Sequence, residues 1–255
     1  MTFESAPVLS AAALVLTGIV AGFVNTLAGG GSLLTLPVLM VLGMPADLAN
    51  GTNRVSVLAQ SVATAHEFDR VGRLDRAHVA SIVPITVAGA LLGAWAASSV
   101  PASVLKPVLV ASLLLVAATL VYKPRLLAPP EGEAGPPSKP SLWHIAGLFA
   151  IGVYGGFAQA GVGILLLAYI GGVLKYDLVR GNALKTVAVA AFTAVALAVF
   201  VLQGQVVYSW ALWLAAGTVA GGWLGVRFAL SRGEDAVRKV LFVSAVVLAI
   251  AALVR

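Results

Sequence analysis

Two phrases in this 255-residue chain carry a fixed positive charge into an apolar run. PADLANGTNR (45–54) delivers Arg54 into VSVLAQSVATA, and YDLVRGNALK (176–185) delivers Lys185 into TVAVAAFTAVALAVF. Both contain Asp-Leu-x-x-Gly. Asn50, Thr52 and Asn53 accompany Arg54, and Asn182 accompanies Lys185. Asn50 and Arg54 share a helix face at i,i+4, as do Asn182 and Lys185 at i,i+3. A cation at the centre of a membrane helix costs at least ~2.5–3.5 kcal/mol on insertion scales. Amide and hydroxyl donors beside such a cation suit an oxyanion. Two plainer roles compete: the cations snorkel to the interface, or they pair with Asp47 and Asp177. Those two carboxylates read first as helix caps.

Two glycine-bearing breaks precede the cationic phrases. The first runs from Asn25 through TLAGGGS to Leu33, and the second reads QAGVGILL from Gln159. Gly29, Gly30 and Gly31 let the chain reverse and let another group approach the backbone. Ser32 is then a candidate N-cap, and a helix start offers free N–H groups and partial positive charge to an anion. Gln159, Gly161 and Gly163 occupy the matching place in the second break. A tight turn between packed helices is the plain alternative at each.

These residues sit in an apolar chain. It is 60% hydrophobic and 10% charged, with a mean hydropathy of +1.00, whereas soluble chains are about 25% charged. Apolar stretches longer than ~18 residues read as membrane spans, and continuous rather than alternating runs make them helices. Ten apolar segments are expected, at 8–28, 31–43, 52–66, 77–99, 104–122, 142–160, 162–174, 181–203, 207–231 and 236–254. The linker KPRLLAPPEGEAGPPSKP (123–140) is too polar and Pro-rich for a span. The expected fold is therefore an all-α polytopic membrane protein in two repeats, 1–122 and 142–255, with the linker at 123–141. The N-terminus has no Lys or Arg before its apolar run, so it is taken as the first helix and not as a signal peptide.

The halves echo each other. Gly18-x-x-x-Gly22 is matched by Gly152-x-x-x-Gly156, and Gly89-x-x-x-Gly93 with Trp95 by Gly217-x-x-x-Gly221 with Trp223. Such small-residue pairs are packing signals, because close backbone approach drives association in lipid. Five segments per half is an odd number, so the repeats should have opposite orientation. Twelve of the 16 basic residues fall on one face, among them Arg70, Arg73, Arg76, Lys175, Arg180 and Arg227, while the other face has Lys106 and Arg255. By the positive-inside rule this fits ten crossings with both termini outside and the linker in the cytoplasm. Segments 31–43 and 162–174 are too short to cross: thirteen residues rise ~20 Å against ~30 Å of hydrocarbon. Paired short segments of this kind point to a transporter's binding site.

Several classes are excluded. The absence of cysteine removes disulfides, thiolate catalysis and cysteine-bound metal. No Gly-x-Ser-x-Gly, no His-Glu-x-x-His and no carboxylate pair within a segment is present, so an enzyme is not expected. Neither a metal nor a cofactor is expected. The basic residues lie in short loops without interleaved aromatics, which argues against nucleic acid. His66, His78 and His144 sit at segment ends and read as interfacial residues. His66 and Glu67 are the nearest candidates for proton coupling, with a solvated helix end as the plain reading. The expected partners are a small anionic substrate and the lipid bilayer, with a homodimer left open.

The stretch from Phe23 to Arg54, FVNTLAGGGSLLTLPVLMVLGMPADLANGTNR, resembles the hallmark of the sulfite exporter TauE/SafE family. The shared pattern is a Gly-rich turn, then Pro37, then Ala49-Asn50-Gly51-Thr52, then the Arg- and Gly-containing loop DRVGRLD. The second half repeats it with a shorter glycine run and no following proline. The resemblance covers all but the linker. It implies a bacterial inner-membrane carrier for sulfite, for sulfonates such as sulfoacetate, or for related organosulfur anions, working by alternating access. A passive anion channel and a non-transporting structural protein are the alternatives.

Overall fold

The computed structural model describes residues 7–122 and 141–253. The linker, with Lys123, Arg125 and Lys139, lies outside them. All regular structure among the described residues is helical. In chain order it comprises α1 (Pro7–Ala28), α2 (Ser32–Val41), α3 (Ala46–Arg70), α4 (Arg76–Ser99), α5 (Ala102–Tyr122), α6 (Leu142–Phe157), α7 (Val162–Leu174), α8 (Leu178–Leu202) and α9 (Tyr208–Leu253). Three helices, Val8–Ala28 in α1, α4 and α8, are long and apolar enough to cross a bilayer.

One boundary departs from the sequence expectation. α3 begins at Ala46, six residues before the expected start at 52, because its first two turns are polar and carry no hydropathy signal. Arg54 is thus well inside a helix. The segments expected at 207–231 and 236–254 are two helical stretches of α9, divided where expected by a kink at Gly233, whose backbone is non-helical (φ 72°, ψ −171°). Asp177 caps α8 as expected, its Oδ1 accepting from the N–H groups of Val179 and Arg180. Asp47 does not cap α3. The cap position is Pro45, which fixes the extended residue before the helix, and Asp47 sits inside the first turn.

The small-residue pairs set the packing. α1 lies against α9 and α4 against α6 so closely that a Cβ has no room. One added to Gly18 would come 2.7 Å from Leu214 O, and one on Gly93 would come 2.9 Å from Phe157 N. Val15 faces Gly217, Ile19 faces Gly221 and Thr26 faces Gly225, so α1 and α9 run parallel. Thr86 faces Gly152 and Ala90 faces Gly156, so α4 and α6 do too. Each pair joins a helix from one half of the chain to a helix from the other.

Polar contacts then fix which helix ends lie together. At one end of the bundle, Val207 N–H donates to Thr52 Oγ1 (3.0 Å) and Gln205 Nε2 donates to Ser98 O (3.2 Å). This end holds the start of α3, the end of α4 and the α8–α9 turn. At the opposite end, Tyr176 OH donates to Asp75 Oδ2 (2.5 Å) and also meets His78 Nδ1 (2.5 Å). A cavity of about 190 Å³ there is lined by His78, His144, Tyr169 and Leu174. α6 therefore starts, and α7 finishes, at the same end. α1, parallel to α9, starts at the other end, to which α2 returns before α3 begins. The short helices α2 and α7 are returning arms of two hairpins that enter the bundle from opposite ends.

Tyr176, Asp75 and His78 tie the α3–α4 loop to the α7–α8 loop. Asp75 also caps α4 by accepting from Ala77 N–H. The hydrogen bond from Tyr176, with those from His78 and Ala77, holds the Asp75 carboxyl below its ordinary range. Burial, and then the Asp75 carboxylate, push the Tyr176 phenol above its ordinary value. His78, expected as an interfacial residue, belongs to this cluster. His66 is exposed at the end of α3, and Glu67 pairs with Arg70 at 3.0 Å.

Candidate functional site at the tips of two opposed hairpins

The two glycine breaks are the hairpin tips, and they touch. Gly29 and Gly161 adopt left-handed conformations (φ 78° and 71°), which is what the two reversals require. A Cβ on Gly29 would lie 2.5 Å from Gly163 Cα, so neither backbone tolerates a side chain at the crossing. Gln159 holds a left-handed conformation as well (φ 59°), unusual for a residue other than glycine. Ser32 does not cap α2: the cap position is Gly31, in right-handed helical conformation with no side-chain cap bond. The Ser32 hydroxyl instead accepts from Asn53 Nδ2 (3.1 Å), whose Oδ1 accepts from Thr35 (2.6 Å).

Both cations are buried, at 0% exposure for Arg54 and 2% for Lys185, so neither snorkels to an interface. Neither pairs with a carboxylate among the described residues. Each instead caps the broken helix of the other half. Lys185 Nζ on α8 donates to Asn25 O (2.8 Å) and Thr26 O (2.9 Å) at the end of α1, and to Asn182 Oδ1 (2.5 Å). All three ammonium donors are used. Arg54 on α3 donates to Gly155 O (3.1 Å), Gly156 O and Phe157 O (3.3 Å) at the end of α6, and to Asn50 Oδ1 (3.4 Å). It stacks 4.6 Å from the Phe200 ring. The two asparagines complete the exchange: Asn50 Nδ2 donates to Phe157 O and Asn182 Nδ2 to Leu27 O. A helix C-terminus carries about half a negative charge and lacks donors for its last carbonyls. A cation supplies both needs. About half of each positive charge is left unbalanced at the tips.

A small cavity lies between the tips. It has about 10 Å³ of open volume, roughly what one water needs. Of the residues singled out in the sequence, Asn25, Gly29, Ser32, Gln159, Gly163 and Lys185 line it. Gly30, Gly31 and Gly161 belong to the same turns. Asn50, Thr52, Asn53, Arg54 and Asn182 are buried around the tips but do not line the cavity. Sequence reasoning missed Gln60, Ser61 and Thr186, which do. Gln60 accepts from Asn25 Nδ2 (2.7 Å) and donates to Thr26 Oγ1 (2.9 Å), locking the end of α1 to α3. A glutamine inside the run VSVLAQSVATA was the available signal. The apolar cluster of Val57, Val162, Leu166, Ile170, Leu184 and Val189 fills the bundle between the cavity and Tyr176.

Fold and site together define a helical bundle apolar enough for the bilayer, with paired helix breaks meeting around a cation-bearing cavity. The sequence pattern of the family described as sulfite exporter TauE/SafE matches residues 14–252, and the chain belongs to that family. Among its relatives is a Sinorhizobium protein named "probable membrane transporter protein ORF9", 27% identical over 93% of this chain and 90% of that one. A Haemophilus influenzae "probable membrane transporter protein" is 25% identical over 91% of this chain and 90% of its own length. "Probable membrane transporter protein YfcA" of Escherichia coli K12 is 27% identical over 91% of this chain and 86% of its own. No solved structure gives a significant match.

Proposed function

We propose that this chain is a multi-pass secondary transporter that moves a small sulfur oxyanion, sulfite or a small sulfonate, across the inner membrane of a bacterium by alternating access. The observation that carries the reading is the crossed capping. Two hairpins from opposite ends touch at Gly29 and Gly163, and each is held by a buried cation from the other half of the chain. It supports a reading of the chain as two inverted repeats, 1–122 and 142–255. Such repeats place a substrate site at their mid-membrane interface, with broken helices around it. The substrate site comprises Asn25, Gly29, Ser32, Gln159, Gly163 and Lys185, with Gly30, Gly31, Gly161, Asn50, Thr52, Asn53, Arg54 and Asn182 shaping the tips.

The cavity has room for about one water, so admitting the anion requires the hairpin tips to part. Opening toward the Tyr176 end requires α7 to leave its apolar neighbours and the Asp75–His78–Tyr176 contacts to part. Opening toward the Thr52 end requires α2 to move. The names of the family and of the three relatives favour transport over the structural alternative.

The test is counterflow in proteoliposomes. Vesicles loaded with unlabelled sulfite should transiently accumulate labelled sulfite, and the rate should saturate with concentration. A rate that rises linearly without accumulation marks a channel. No flux of sulfite, sulfoacetate or methanesulfonate by folded protein refutes the reading.

A further inference from the structure

The cavity has an unmatched polar lining. Gln159 is buried, at 2% exposure, and borders the cavity. Its Nε2 is turned to Thr193 Oγ1 (3.0 Å), a residue that does not border the cavity. Its Oε1 accepts no hydrogen bond. A buried acceptor without a donor is unfavourable, and this one sits at a strained left-handed residue in the tip. Across the cavity, Lys185 supplies the only titratable or charged side chain among the lining residues. Arg54 stands behind the carbonyls of Gly155, Gly156 and Phe157. The lining therefore offers one cation and two hydroxyls, Ser32 and Ser61, to a negative group, and one lone acceptor to a hydrogen-bond donor.

We infer that the site selects oxyanions that carry a single negative charge and retain an O–H, and that Gln159 Oε1 is the group that reads the proton. The inference rests on the transport reading above. A hydrogen oxyanion places its charged oxygens toward Lys185 and the serine hydroxyls and donates its O–H to Gln159. A fully deprotonated dianion puts a second charge against the lone oxygen and has no proton to give. A sulfonate has the right charge, but it sets a carbon substituent where the O–H belongs and leaves Oε1 orphaned. Sites built to hydrogen-bond a substrate hydroxyl reject analogues lacking it by large factors. The carrier then moves one proton with each anion, with no protein carboxylate in the path.

The experiment is calorimetric or thermal-shift binding of sulfite, methanesulfonate and sulfate to the purified full chain over a pH series. The series spans the second ionisation of sulfite. Sulfite affinity should fall about tenfold per pH unit above that ionisation, as the protonated form disappears. Methanesulfonate should bind at least about thirtyfold more weakly than sulfite at the acid end. It does not titrate in this range, so its own profile reports any change at Lys185. Gln159→Met should bring methanesulfonate to within a few-fold of sulfite and flatten the sulfite profile. Sulfite affinity independent of pH, or methanesulfonate equal to sulfite in the wild-type protein, overturns the inference and leaves the transport reading standing. No binding of any of the three by folded protein overturns the transport reading itself, and the inference with it.

Discussion

Removing the charge of Lys185 separates a ligand-binding role from a structural one. Lys185→Met keeps the length and removes the ammonium. An anion about 4 Å from that charge, at an effective dielectric of about 20, is stabilised by about 4 kcal/mol, or close to three decades of affinity. Arg54 does not border the cavity. A charge at twice the distance contributes about 2 kcal/mol, roughly thirtyfold. Both variants also uncap a helix. Lys185→Met strips the donor from Thr26 O and Asn182 Oδ1, while Asn25 O keeps its bond from Gly29 N–H. Two orphaned acceptors cost about 2–6 kcal/mol of stability together. Arg54→Met exposes more carbonyls and should destabilise at least as much. Stability in detergent and sulfite affinity, measured on both variants, thus rank differently. Arg54→Met should be the less stable protein and Lys185→Met the weaker binder, by about an order of magnitude or more. Equal loss of affinity in the two, scaling only with their loss of stability, would refute the reasoning, because both cations would then be caps and nothing else.

Other outcomes follow from the same contacts. Gly29→Ala and Gly163→Ala should each abolish folded protein in a fluorescence-detected size-exclusion profile, since the added methyl meets backbone that cannot move aside. Gly93→Ala and Gly221→Ala, at the α4–α6 and α1–α9 contacts, should each lower thermal stability by about 1–3 kcal/mol, the usual cost of overpacking. Tyr176→Phe should accelerate hydrogen exchange in both the 71–75 and 175–177 loops, because one hydroxyl joins them. The native Asp75 pKa is depressed, so its contribution is present above the unfolded value of about 4 and lost as pH falls through the lower native value. The native Tyr176 pKa is raised, so its contribution is present below about 10 and lost as pH rises through the higher native value. Protection in these loops, corrected for the intrinsic exchange rate at each pH, should therefore be greatest, and insensitive to ionisation of the pair, between about pH 5 and 9.

The residues that could be read in advance were those whose cost in an apolar chain is high. Arg54 and Lys185 stood out because a buried cation must have partners, and both are buried. The glycine breaks stood out because α2 and α7 are too short to cross. The partners were not legible. A cation hydrogen-bonded to main-chain carbonyls leaves no mark in the sequence of the segment it caps, so neither Gly155–Phe157 nor Asn25–Thr26 advertised its role. The expected capping by Ser32 and Asp47 failed because residue type cannot say whether the chain is already helical one residue earlier. The first six residues of α3 fell outside the expected segment because Ala46 to Gly51 carry little hydropathy, although the Asn50 side chain is satisfied within the bundle. Gln60 and Ser61 were passed over because a single polar residue in an apolar run has many explanations until its neighbours are known.

Alternating access requires the cavity between the hairpin tips to open to each side of the membrane in turn. The chain has no cysteine, so Ser61→Cys places a single thiol on the cavity wall. Its labelling by a membrane-impermeant thiol reagent, in right-side-out and in inverted vesicles separately, measures that claim. The expected result is modification from both sides, each slower than at an exposed control on the same side, Leu202→Cys at one end and Arg73→Cys at the other. Labelling from neither side, or from one side only, contradicts it.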